Sequence, residues 1–119
     1  EKTIDKQKKI MHMYILQLEQ GRWYCGTTTR PPWLRLREHH AGWGCKFTSR
    51  YPVVRVTHCF PVDTGRASQL ENETWMWLAR QHNPERCRGG DVTIVGRDGS
   101  IPDWCLPEEF GGKRRVSWG

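Results

Sequence analysis

The segment HMYILQL (12–18) is almost continuously apolar, and Glu19-Gln20-Gly21 follows it at once. An apolar run this short reads as a strand covered on both faces rather than as a helix. Gly21 is free to take positive φ, so the turn is tight and RWYCG (22–26) returns as the second strand of a hairpin. If the turn pairs Leu18 with Arg22, then Tyr14 lies opposite Gly26 and Tyr24 opposite Leu16. Side chains alternate across a strand, so the two tyrosines become diagonal neighbours on one face. By itself this is an ordinary pair of half-buried strand tyrosines.

The remaining elements follow from local chemistry. TTTRPP supplies a Thr cap and prolines suited to a first helical turn. The helix runs from about Pro32 to Ala41 and stops at Gly42. WGCKFTSRYP reads as a loop with aromatic and basic residues interleaved. VVRVTHCF (53–60) is β-branched and predicts a third strand. Asp63-Thr64-Gly65 caps a second long helix from about Arg66 to Gln81, closed by Asn83-Pro84. DVTIVGRDGSIPDW suggests a short strand and turns, and PEEFGGKRRVSWG a loose tail. The expected fold class is α+β, with a small central three-stranded antiparallel sheet flanked by helices. Residues 1–11 read as an N-terminal arm, 12–91 as the folded domain, and 92–119 as a C-terminal extension packed in part on it. The first residue is Glu1 rather than Met, so neither end is read as a natural boundary.

Charge narrows the partners. The chain has 119 residues, enough for one domain, and a formal net charge of +6 spread along its length. That favours a polyanion, most simply nucleic acid. No stretch is long and apolar enough to span a bilayer, and EKTIDKQKKI lacks the apolar core of a secretory signal. The 5 cysteines are odd in number and widely spaced, which suits a reducing intracellular compartment, cytoplasm or nucleus.

Helical phase then places further residues. On the first helix Trp33, Leu34, Leu36, His40 and Ala41 form an apolar arc, and Arg37 falls inside it with its stem packed. Arg35 and His39 share the opposite side at i and i+4. A guanidinium there suits a bidentate grip on a phosphate, and an imidazole can move a proton near neutral pH. A solvated face explains the same pair. On the second helix Ala67, Leu70, Thr74, Trp75, Trp77 and Leu78 mark the buried side, with Glu71 in the middle of it and Glu73 at its polar margin. An inward carboxylate requires a structural cation or a hard divalent metal. The metal is the preferred reading.

With these residues in order, the chain resembles the GIY-YIG nuclease family. His12-Met13-Tyr14 corresponds to the GIY element and Tyr24-Cys25-Gly26 to the YIG element. LRLREHH matches the Arg-x-x-x-His/Tyr step through Arg35 and His39. ASQLENETWMWL is similar to the helix that presents the metal-binding Glu, here Glu71, and KFTSRYP and RCRGGDV are similar to later parts of the module. The departures are His12 for Gly, Met13 for Ile and Cys25 for Ile, whereas both tyrosines and Gly26 remain.

The resemblance implies an endonuclease that hydrolyses a phosphodiester of DNA, duplex or branched, with one Mg²⁺ or Mn²⁺ on Glu71 as Lewis acid. It implies Arg35 on the scissile phosphate, Tyr14 as general base, Tyr24 on the attacking water or the phosphate, and His39 assisting proton movement or touching the phosphate. Lys46, Arg50, Arg55 and the Lys113-Arg114-Arg115 cluster are candidate backbone contacts, with Trp43 and Phe47 between them. A protein partner or a dimer would supply targeting. The alternative is a non-catalytic nucleic-acid-binding module of the same fold. A zinc module built on Cys25, His39, His40, Cys45, His58 and Cys59 lacks the paired spacing of structural zinc sites, and no cysteine is locally marked as a nucleophile.

Overall fold

The computed structural model describes residues 10–90. β1 (Ile10–Leu18) and β2 (Trp23–Thr28) form the hairpin, and α1 (Pro32–His40) and α2 (Lys46–Arg50) follow. β3 (Val53–Asp63) then leads through a 3₁₀ turn to α3 (Ala67–His82), and β4 (Cys87–Arg88) closes the sequence. The fold is α+β, around a four-stranded sheet in the order β3-β1-β2-β4.

The hairpin has the predicted register. Tyr14 pairs with Gly26 and Leu16 with Tyr24, and the Leu18 N–H donates to the Arg22 carbonyl at 2.8 Å across the turn. Both Gln20 (φ 60°) and Gly21 (φ 68°) take left-handed backbone there. As the central strand, β1 buries Met13, Tyr14, Ile15 and Leu16 consecutively. β3 pairs antiparallel with β1 on its other side, with irregular register after Ile15 and after Gln17.

The two faces of the sheet are covered differently. Tyr14, Leu16, Leu18 and Tyr24 pack with Phe47 and Tyr51. Ile15, Cys25 and Cys87 pack under Trp75, Leu78 and Ala79 of α3. Burying the Trp75 indole is satisfied by its Nε1–H donating to the Cys87 carbonyl at 2.9 Å. Asp63 caps the 3₁₀ turn Thr64–Arg66, accepting from the Gly65 N–H at 2.8 Å, and not the long helix itself: α3 begins after Arg66 without a side-chain cap. After α3, Asn83 (φ 92°) ends the helix and accepts from the Glu85 N–H at 2.9 Å.

Several expectations need correction. The sheet has a fourth strand, β4, parallel to β2 through Trp23–Cys87 and Tyr24–Arg88; two residues carry no periodicity to reveal it. α2 occupies part of the segment read as a loop, and its Phe47 is a core residue, 2% exposed. No Thr caps α1: its N-cap is Pro31 without a side-chain bond, and Thr28 Oγ1 accepts from the Arg30 N–H at 3.1 Å instead. On α3 Trp77 is 49% exposed rather than buried.

The largest correction concerns the orientation of α1. His39 is 1% exposed and Trp33 63% exposed, with His40, Ala41 and Arg37 also at the surface. The helix therefore turns its Arg35–His39 side to the sheet and leaves Trp33 in solvent. The readings for residues 1–9 and 91–119, including the arm, the late strand, Cys105 and the Lys113-Arg114-Arg115 cluster, lie outside the described residues.

Candidate active site

Tyr14, Tyr24 and His39 meet above Gly26. Tyr14 and Tyr24 ring centroids are 6.3 Å apart, and each ring lies against the His39 imidazole, at 5.4 and 5.1 Å. A Cβ on Gly26 would stand 2.7 Å from Tyr14 Oη and 2.9 Å from Tyr24 Cε2. Only glycine at this position lets the two phenols converge.

The inward turn of α1 is explained by what His39 finds there. Its Nε2 lies 2.8 Å from Tyr14 Oη and its Nδ1 2.8 Å from Thr48 Oγ1, so both ring nitrogens are satisfied. Thr48 Oγ1 donates to the Cys45 carbonyl at 3.4 Å. That assignment makes the Thr48 oxygen an acceptor for Nδ1–H and leaves Nε2 bare to accept the Tyr14 hydroxyl proton. Gly44 presses on the imidazole, where any Cβ would collide with the ring.

Arg35 is held at the edge of this group. Its guanidinium donates to Glu38 Oε1 and to the Gly44 carbonyl, both at 3.0 Å. Glu38 also accepts from Arg30 at 3.1 Å. The Arg30 and Arg35 guanidiniums hold its carboxyl down to about 2, so it stays ionised.

Burial sets the protonation of the cluster. It pushes the Tyr14 phenol up to about 12, against the pull of the nearby Arg35. It raises Tyr24 further, with Cys45 and Tyr14 adding to the effect. It lowers His39 to about 4, seconded by the Arg35 charge. Near neutral pH all three groups are uncharged, and the hydrogen-bonded chain is Tyr14–His39–Thr48.

Glu71 stands apart. It projects from α3, the helix on the other face of the sheet, and is half-buried. Its Oε1 accepts from Thr27 Oγ1 at 2.8 Å and its Oε2 from the Gly90 N–H at 2.6 Å. The structure thus brings Tyr14, Tyr24, Arg35 and His39 together without direct contact to Glu71. The Glu71 charge still reaches both phenols and contributes to raising them. Among the described residues it has no cationic partner within ion-pair distance, and no group of three or more His, Cys, Asp or Glu forms a metal cage. One carboxylate held by neutral donors retains a free lone pair on each oxygen. That donor set fits a hydrated Mg²⁺ completed by water and phosphate, and not a protein-only cage.

Of the candidate backbone contacts, Lys46 and Arg50 are exposed one turn apart on α2. Arg55 is separated from them: it lies beside Gln17, whose Oε1 accepts from its Nε at 2.7 Å, toward the α3 face. Sequence reasoning missed Glu38, Gly44, Thr48 and Thr27. The alternation that puts Tyr24 on one face puts Thr27 on the other, facing α3, and was a usable signal. Thr48 offered none, because its segment read as a loop.

Against known proteins, the chain is 39% identical over 54 residues to a UPF0213 protein of Enterococcus faecalis (strain ATCC 700802 / V583). The match takes in 43% of this chain and 60% of that protein, less than two thirds of the relative's length. No protein-family model matches the chain, and no solved structure matches it. No helix among the described residues is long and apolar enough to cross a membrane.

Proposed function

We propose that the chain is a metal-dependent endonuclease of the GIY-YIG type, hydrolysing phosphodiester bonds of DNA. The observation that carries this reading is the Tyr14 Oη–His39 Nε2 hydrogen bond, made where Tyr24 and Arg35 converge. A core needs no such arrangement, since a tyrosine and a histidine buried together cost more to satisfy than two apolar side chains.

The chemistry is an in-line displacement. A water oxygen bonds to phosphorus as the bond from phosphorus to the 3′ oxygen breaks, and the departing 3′ oxygen takes a proton from solvent. Tyr14 cannot ionise first, with its phenol held near 12. It takes the proton of the water as its own hydroxyl proton passes to His39 Nε2. The resulting imidazolium keeps its Nδ1–H on Thr48. Arg35, set by Glu38 and Gly44, offers its remaining donors to the phosphate and offsets its developing charge. Tyr24 is positioned to hydrogen-bond the phosphate or the water. Glu71 would hold Mg²⁺ or Mn²⁺, which supplies Lewis-acid stabilisation of the phosphate and leaving oxygen.

A cleavage panel on supercoiled, linear, branched and single-stranded substrates with Mg²⁺ or Mn²⁺ tests this. Glu71→Gln is expected to abolish cutting while preserving the fold, and Tyr14→Phe to slow it by about 100- to 10,000-fold. A purified protein that cuts none of these substrates would instead be a non-catalytic binding module.

A further inference from the structure

The reversed orientation of α1 leaves Trp33 in solvent at 63% exposure, and Trp43 just beyond the helix at 82%. Trp43 is not on a slack loop. Its N–H donates to the Glu38 carbonyl at 2.8 Å and the Gly42 N–H to the His39 carbonyl at 3.0 Å, with Gly42 at φ +87°. This is a Schellman closure, in which the residue at the Trp43 position ordinarily packs back on the helix. Here the indole instead stands between two cavities. One, of about 460 Å³, is lined by Cys45, Lys46, Ser49 and Arg50. The other, of about 340 Å³, is lined by Leu34, Arg37, Glu38 and Ala41.

Charge identifies the occupant. Glu38 is already engaged by Arg30 and Arg35, whereas Arg37, Lys46 and Arg50 have no carboxylate in ion-pair distance among the described residues. An exposed aromatic plate on a hydrogen-bonded backbone, next to cations without a carboxylate partner, suits a base stacked on the indole with its phosphates on Lys46 and Arg50. In the interior of a duplex both faces of each base are covered by its neighbours. We infer that Trp43 is a stacking platform for an unpaired nucleotide, and that the substrate carries a single-stranded stretch next to the scissile phosphate. Gly44, the next residue, touches both Arg35 and His39, so the platform is tied to the candidate active site. The adjacency to a cut phosphate rests on the nuclease reading; strand-selective binding does not.

Binding measured in EDTA separates the two. A fluorescein-labelled single-stranded oligonucleotide, as DNA and as RNA, is compared with the same sequence in a blunt duplex. Trp43→Ala is expected to weaken single-strand binding about ten-fold, with quenching of indole fluorescence lost, and to leave duplex binding unchanged. Trp43→Phe restores most of the loss, and Lys46→Glu with Arg50→Glu weakens both substrates. Equal effects of Trp43→Ala on both substrates, or none on either, overturn the platform. So does concentration-dependent self-association that Trp43→Ala abolishes, since the surface would then join two copies. Blunt-duplex cleavage at full rate by Trp43→Ala, with single-strand binding unaltered, overturns the platform and leaves the nuclease standing. Selective binding without any cleavage does the reverse.

Discussion

At the residue scale, His39 decides the character of the cluster. Burial and the Arg35 charge hold its folded pKa near 4, below the 6.5 of an ordinary imidazole. Between those two values the unfolded chain binds more protons than the folded one. Stability from keeping His39 neutral is therefore fully present above pH 6.5, and is lost as pH falls toward 4. The loss should be on the order of 2 kcal/mol, read by denaturant titrations at several pH values. His39→Gln should flatten that dependence, and an NMR titration of the His39 ring should find its midpoint near 4. A midpoint near 6.5 would mean that the ring is solvated and not the acceptor of the Tyr14 proton. Gly26 is the second decisive residue. Gly26→Ala should cost about 1–3 kcal/mol through overpacking against both tyrosines, measured as a lowered denaturation midpoint.

At the scale of elements, α1 shows how a polar face can win the interior. Its apolar arc was the natural surface to bury by hydrophobicity alone. The sheet, however, offers Tyr14 Oη, and α2 offers Thr48 Oγ1, at hydrogen-bond distance from the two nitrogens of His39. Leu36 still packs against the core, so the helix keeps an apolar contact while seating the imidazole. The orientation has a direct check. Trp33→Lys should change stability by less than about 0.5 kcal/mol, as for other surface positions. Thr48→Val, which leaves a buried ring nitrogen unmet, should cost about 1–3 kcal/mol. The opposite ranking in equilibrium unfolding would restore the apolar arc to the interior.

At the scale of the whole molecule, the net charge of +6 acts together with its placement. Arg35, Lys46 and Arg50 lie on the α1–α2 side, where the tyrosines are, whereas Arg55 lies toward α3. If those three each meet a phosphate, duplex affinity should fall about 40-fold between 50 and 200 mM salt, as followed by fluorescence anisotropy. A flat salt response would remove the electrostatic basis for a nucleic-acid partner.

Much of this architecture was legible in the chain. The apolar run at 12–18 and the turn after it determine the hairpin, because strand parity is a local property. The Tyr14–Gly26 pairing and the shared side of Arg35 and His39 follow from the same kind of periodicity, and Gly42 marks the stop of α1, just past its Ala41 cap. Which side of α1 faces inward was settled only by tertiary structure, since it depends on partners from β1 and α2 distant in sequence. The same holds for Glu71: phase marked it as an inward carboxylate, but its partners, the Thr27 hydroxyl and the Gly90 N–H, come from β2 and from the chain after β4. β4 exists only because Cys87 and Arg88 arrive beside β2. Periodicity is written residue by residue, whereas the partner that satisfies a buried polar group is supplied by the fold.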